Sequence, residues 1–237
     1  MKQINILSLV EAYRNLNEET YNEYLSYNGI SIRNNEIEDI DSLIQKIYKT
    51  ATSNNLGGFY VGYKIPQIGK EFDLLRFGKD TVLNIEIKSS STQEKIYKQL
   101  IRNRYYLSYM GKSMLLFAYV SSEDALYTLG GDDKLTEASP CYLVDSIRDQ
   151  RVEYINTIDD LFNPSNYLVS PFNSTDKFLE GGYFLTAQQE EIKRGIMNSL
   201  LDKNKYKFIS ITGSAGTGKT LLVYDIAKTL AEENKKI

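Results

Sequence analysis

Apolar residues recur along this chain with two different periods, and the switch between them divides it. Up to about residue 53 the spacing is helical: Ile6, Leu7, Leu9, Val10 and Tyr13, then Ile40, Leu43, Ile44, Ile47 and Tyr48, return at intervals of three and four. Two or three packed helices are predicted there. Asn54-Asn55-Leu56-Gly57-Gly58 supplies turn chemistry, and the period then drops to two. Phe59 to Ile65, Glu71 to Phe77 and Thr81 to Lys88 read as three strands of a meander, separated by Pro66-Gln67-Ile68-Gly69 and Gly78-Lys79-Asp80. Thr92 to about Met110 is helical again. Met114 to Val120 is an apolar run suited to a buried strand, followed by predicted strands at Ala125 to Leu129 and Cys141 to Val144. This order predicts an α/β fold with a mixed sheet.

Residues 163 to 182, with Pro164, Pro171, Asn173, Ser174 and Gly181-Gly182, have the composition of a connector. They divide the chain into a first domain at 1–162 and a second from 183 to 237. In the second, Thr186 to Leu201 reads as a helix, Tyr206 to Ile211 as a strand and Lys219 to Glu233 as a helix.

Between that last strand and helix stands Gly213-Ser-Ala-Gly-Thr-Gly-Lys219-Thr220, which fits the spacing G-x-x-x-x-G-K-[ST] of a phosphate-binding loop. Gly213, Gly216 and Gly218 let the backbone wrap a phosphate with amides and a helix N-terminus aimed at it. Lys219 is the candidate contact to the β and γ phosphates of ATP, and Thr220 the candidate magnesium ligand. Phe184-Leu185-Thr186-Ala187-Gln188-Gln189 resembles the glutamine motif of superfamily 1 helicases, which implies that Gln189 reads adenine; the alternative is an ordinary solvated helix residue. The acidic strand and arginine fingers of such motors do not appear before Ile237. The chain is therefore expected to carry only the truncated start of a P-loop ATPase, whose remainder would be its partner.

Chemistry is also concentrated in the predicted meander. Asp73 lies in the middle strand, and Glu86 and Lys88, two apart, share a face of the next. Two carboxylates and the Ile87 carbonyl are hard oxygen ligands for Mg2+ or Mn2+, and a lysine beside them can orient or deprotonate a water attacking phosphorus. The pattern resembles the PD-(D/E)xK nuclease superfamily, with Phe72 where its proline usually stands. That resemblance implies a restriction-endonuclease-like sheet and metal-dependent cleavage of DNA by Asp73, Glu86 and Lys88. Gln99, with Tyr105-Tyr106 beyond it, is similar to the glutamine-tyrosine helix of RecB-like members, which implies a role for Gln99 at the site. Glu38 or Asp41 are candidates for the further acid such enzymes take from a preceding helix. Fusions of nuclease and helicase occur in bacterial antiphage defence and restriction, so that role is what the resemblance implies. The alternatives are a salt-bridged sheet face without catalysis, belonging to a DNA-binding or assembly module, and a nucleotide-binding regulator. Lys95, Lys98, Arg102 and Arg104, interleaved with tyrosines, form a basic patch able to hold a phosphate backbone or simply to be solvated.

Composition narrows the chemistry further. The 237 residues are 42% hydrophobic and 25% charged, as in ordinary globular proteins, and contain no histidine. Histidine general bases, Ser-His-Asp triads and His-ligated zinc are thereby excluded. The single cysteine, Cys141, cannot form an intramolecular disulfide, which suits a reducing cytoplasm. No apolar run approaches the roughly 20 residues needed to span a bilayer, so no membrane association is expected. A net charge of -3 argues against a globally basic nucleic-acid binder and leaves a local patch or a homo-oligomer open.

Overall fold

Residues 1–51, 55–66, 68–163, 166–167, 169–200, 208–214 and 216–232 are described by the computed structural model of the chain. They belong to two units, Met1–Pro66 with Lys70–Phe162, and Gln67–Gly69 with Asn163–Ile237.

The first unit opens with helices α1 (Ile6–Asn15), α2 (Glu18–Asn28) and α3 (Asn34–Thr50). Asn5 and Asn17 start the first two by accepting the Leu7 and Thr20 amides on their side chains, which satisfies donors that a helix N-terminus leaves bare. In α3 the 3-and-4 spacing puts Ile37, Ile40, Leu43, Ile44 and Ile47 on one face, each exposed by 2% or less. Each such side chain contributes roughly 1.5–3 kcal/mol of burial, so this stripe fixes α3 against Ile6, Leu9 and Val10 of α1 and against the sheet.

Six strands follow: β1 (Phe59–Lys64), β2 (Glu71–Phe77), β3 (Thr81–Lys88), β4 (Ser113–Val120), β5 (Ala125–Leu129) and β6 (Leu135–Glu137), paired in that order. All neighbours are antiparallel except β3 and β4, which run parallel in register from Thr81↔Ser113 to Lys88↔Val120. A parallel pair needs a crossover, and α4 (Gln93–Ser108), capped by the Thr92 hydroxyl, is that crossover. The α/β class and the mixed sheet are thus as the pattern predicts.

The expected strand at Cys141–Val144 is instead part of helix α5 (Pro140–Asp149). Ser139 caps it, Pro140 occupies its first turn, and Leu143, Val144 and Ile147 form the buried 3-and-4 face. Four apolar letters were too short a window to separate the two periods. The last strand is β6, which precedes that helix.

One basic side chain is sealed inside this unit. Arg76 of β2 is 1% exposed and donates to the carbonyls of Asn55, Gly57 and Ile147 and to Gln150 Oε1, with no carboxylate among these acceptors. Burial pushes its guanidinium down to about 10. The contacts tie the 55–57 turn and the end of α5 to the sheet.

In the second unit α6 (Thr175–Leu179), α7 (Ala187–Ser199) and α8 (Lys219–Glu232) are joined by loops. Leu185, Leu222, Ile226 and Leu230 form its buried cluster. Of the strand expected at 206–211, residues 206 and 207 lie outside the described residues, and 208–211 are not in a strand. Phe208 is fully exposed. A strand is held by a neighbour's backbone, and none pairs with this segment among the described residues.

Candidate active site

The site forms where the β2–β3 ladder stops. Pairing runs from Phe77↔Val82 to Leu74↔Ile85, and beyond it Asp73 Oδ2 accepts the Ile87 N–H at 2.8 Å. A side chain takes the donor that a continuing ladder would have used. The strand on the other side also gives way there: β1 pairing skips Gly62, whose φ is +68°. A Cβ on Gly62 would stand 3.1 Å from the Ser31 carbonyl oxygen, so any other residue would be strained in backbone angle and tight in space. The opening is a cavity of about 300 Å³ whose lining includes Gly62, Glu36, Asp39, Asp73, Lys88 and Gln99. Glu86 and Ile87 complete the wall at its sheet end.

Asp73, Glu86, Lys88, Ile87 and Gln99 are therefore brought together. Lys88 Nζ lies 3.2 Å from Asp73 Oδ2 and 3.6 Å from Glu86 Oε2, bridging the two acids. Glu86 is 1% exposed and lies within a net of amides. Its Oε2 accepts Gln99 Nε2 at 2.9 Å, while Oε1 accepts Asn103 Nδ2 at 2.7 Å and Asn84 Nδ2 at 3.3 Å. Asn84 and Asn103 are both fully buried, and Asn103 Oδ1 has no partner among the described residues. Sequence reasoning missed both asparagines. The usable signal for Asn103 was its place one turn after Gln99, on the face that packs on β3.

The two acids are driven apart in acidity. Burial raises Glu86, but Lys70, Lys88, Asn103 and Gln99 outweigh it and hold the carboxyl below the usual range. Asp73 is pushed up to about 7 by burial and by the Glu86 charge, against the pull of Lys88 and the Ile87 amide. Burial lowers Lys88, yet Asp73 and Glu86 raise it above an ordinary lysine. The same two acids favour its charged ammonium form. Lys70, half-buried before β2, is a further cation near these groups, lowered chiefly by burial.

Neither Glu38 nor Asp41, the candidates on α3, lines the cavity. Asp41 is held by Arg14 at 2.5 Å, and Glu38 is exposed. Glu36 and Asp39 line the cavity instead, three apart on the face that also carries Ile40. Glu36 is paired with Arg33 at 2.5 Å, and Asp39 accepts the hydroxyls of Ser89 and Ser121. The basic patch also divides: Lys98 pairs with Glu94 at 2.5 Å, and Arg104 is bound to Asp133 and to the Gly130 carbonyl.

Magnesium is commonly held by one or two carboxylates together with water. Asp73 and Glu86 match that donor set, and Asp73 Oδ1 has no hydrogen-bond partner among the described residues. No group of three Cys, Asp or Glu side chains able to hold an ion occurs among the described residues. A resident cation would therefore take these two acids, the Ile87 carbonyl and water.

In the second unit Lys219 opens α8, with Gly216 and Gly218 at φ of +79° and +73° before it. Lys219 Nζ donates to the Ser214 carbonyl at 2.6 Å, and Thr220 is exposed beside it. Residue 215 of the loop lies outside the described residues. Gln189 bonds both ways: its Oε1 accepts the Thr186 amide at 2.9 Å in a capping box, and its Nε2 donates to the Thr217 carbonyl at 3.0 Å. It braces the glycine-rich loop before α8 against α7.

No protein-family model, no curated protein and no solved structure matches this chain. No helix among the described residues is long and apolar enough to cross a membrane.

Proposed function

We propose that the first unit is a metal-dependent phosphodiesterase that cleaves DNA, with Asp73 and Glu86 as ligands of Mg2+ or Mn2+. The observation that carries this reading is the junction of two carboxylates with Lys88 at an open cavity, where the ladder between β2 and β3 ends. A cation held there would polarise a phosphoryl oxygen and sharpen a water nucleophile. The chain's own groups do the rest. Asn84, Asn103 and Gln99 keep Glu86 charged and fixed, so one acid is ready before any ligand arrives. Asp73, whose carboxyl is pushed up to about 7, would be drawn to its charged form by an entering cation. Lys88 offsets charge that develops on the phosphate oxygens. Gln99, reaching the mouth of the cavity from α4, positions Glu86.

The test is cleavage of supercoiled plasmid and of single-stranded DNA with Mg2+, Mn2+ or chelator, beside Lys88→Ala. Metal-dependent cleavage that falls at least a hundredfold in the variant is expected, because electrostatic groups at a dry reacting centre contribute on this scale. Cleavage that survives both chelator and Lys88→Ala refutes the assignment.

For the second unit we propose nucleotide-phosphate binding at Gly213, Gly216, Gly218, Lys219 and Thr220, with ATP and Mg2+ as ligands. The helix N-terminus and the loop glycines support it. Gln189, held at both ends within the chain, is read as a brace of this loop in place of an adenine reader. The two units together suit a nuclease attached to a helicase-like ATPase, of the kind found in antiphage defence.

A further inference from the structure

Helix α4 has two long flanks beside its buried face, and they are built differently. The buried residues are Ile96, Leu100, Asn103, Tyr106 and Leu107. On one flank Arg104 is fastened to the turn after β5 through Asp133 and the Gly130 carbonyl. On the other stands Gln99, whose amide reaches Glu86 at 2.9 Å. At about 100° per residue, Lys95, Gln99, Arg102 and Tyr109 fall within one arc of about 80° on that second flank. Lys98 and Tyr105 border it. Lys95 is exposed, Tyr109 is 37% exposed, and the Tyr105 ring meets those of Tyr106 and Tyr109 edge-on at 5.1 and 5.6 Å. The Lys98–Glu94 pair beside them is a surface contact between two well-exposed side chains, which phosphates can displace at little cost.

Lys95, Lys98 and Arg102, followed by Tyr105 and Tyr109, therefore line one track, ~21 Å long, that passes the carboxylates. The chain as a whole is acidic, so this concentration of positive charge is local. Phosphates match the lysines and arginine by charge, while tyrosine rings offer stacking surfaces that every unpaired base can use and that paired bases cannot reach. We propose that this flank of α4 binds single-stranded DNA and leads its backbone to Asp73, Glu86 and Lys88, which makes single strands the substrate class of the site. The inference rests on the nuclease reading for its destination but not for the binding itself.

Binding can be measured without catalysis, by anisotropy of a short fluorescent oligothymidylate mixed with the full chain in EDTA. The expected result is salt-dependent binding that weakens about tenfold or more in Lys95→Glu/Arg102→Glu, since each phosphate contact adds to the salt slope. Tyr109→Ala should weaken it about tenfold through lost stacking. Lys134→Glu, on the turn between β5 and β6, should leave it unchanged. A duplex of equal length should compete at least tenfold less well. Lys95→Gln alone, at an exposed position, supplies the same direction with a smaller loss if the double reversal does not fold. Absence of binding, binding indifferent to these changes, or equal competition by duplex overturns the proposal. Binding that behaves as expected in a protein that cleaves nothing with any metal leaves the track standing and refutes the catalytic reading alone.

Discussion

Replacing Asp73 by asparagine should make the metal-free protein more stable at alkaline pH. Asp73 carries a carboxyl pushed from 3.8 to about 7 by burial and by the neighbouring Glu86 charge. The folded chain thus keeps a proton that the unfolded chain releases, and stability falls as pH rises from about 4 to about 7. At roughly 1.4 kcal/mol per unit, the full displacement corresponds to about 4 kcal/mol above that window. The two acids titrate as a pair, and Lys88 loses one of its anions on substitution, so about 1–3 kcal/mol is the gain to expect. Asparagine retains an oxygen for the Ile87 amide, which keeps the strand end intact. Urea unfolding of both proteins in EDTA at a series of pH values from 5 to 8.5 reads the effect. The variant's advantage should grow up to about pH 7 and level off above it, and Mg2+ should shrink it by stabilising only the wild type. A variant that is less stable at pH 8, or an advantage independent of pH, would refute the account of this carboxyl.

Two further changes probe the frame around the site. Gly62→Ala combines a +68° backbone angle with a Cβ 3.1 Å from the Ser31 carbonyl; thermal unfolding should show a loss of about 1–3 kcal/mol, and unchanged stability would mean that the strand relaxes freely there. Arg76→Ala leaves three carbonyls and Gln150 Oε1 without their donor and opens a cavity, so a loss of about 3–5 kcal/mol is expected by denaturant titration, with a change under 1 kcal/mol arguing that water replaces the guanidinium.

Much of the sheet was legible because its signals are short-range. Leu83–Lys88 alternates apolar and polar letters, turn residues flank Thr81–Lys88, and the strand has those ends. Asp73, Glu86, Lys88 and Gln99 were readable from period-two spacing and from the helix that follows, and they do line one cavity. What escaped depends on rotation and depth. That Glu36 and Asp39 line the cavity, and Glu38 and Asp41 do not, is a matter of helical phase, which the sequence of α3 leaves ambiguous because acids stand at 36, 38, 39 and 41. Asn84 and Asn103 look like ordinary polar residues until the crossover of α4 buries them against Glu86. The strand expected at Cys141–Val144 failed because a helix cap at Ser139 outweighed four β-tolerant letters.

The parallel step between β3 and β4 carries a further consequence, for the chain before it is folded. Antiparallel neighbours can pair through short turns, whereas β3 and β4 must wait for residues 89–112 to fold across. Until then β3 offers an open edge carrying Val82, Leu83, Ile85 and Ile87, the kind of segment that recruits other chains. Glu86 and Lys88 interrupt it, one on each side of Ile87, and charges so placed discourage edge-to-edge aggregation. The residues proposed to cut a phosphodiester thus also guard their own strand, and a variant that neutralises both would face aggregation during synthesis before any question of activity arises.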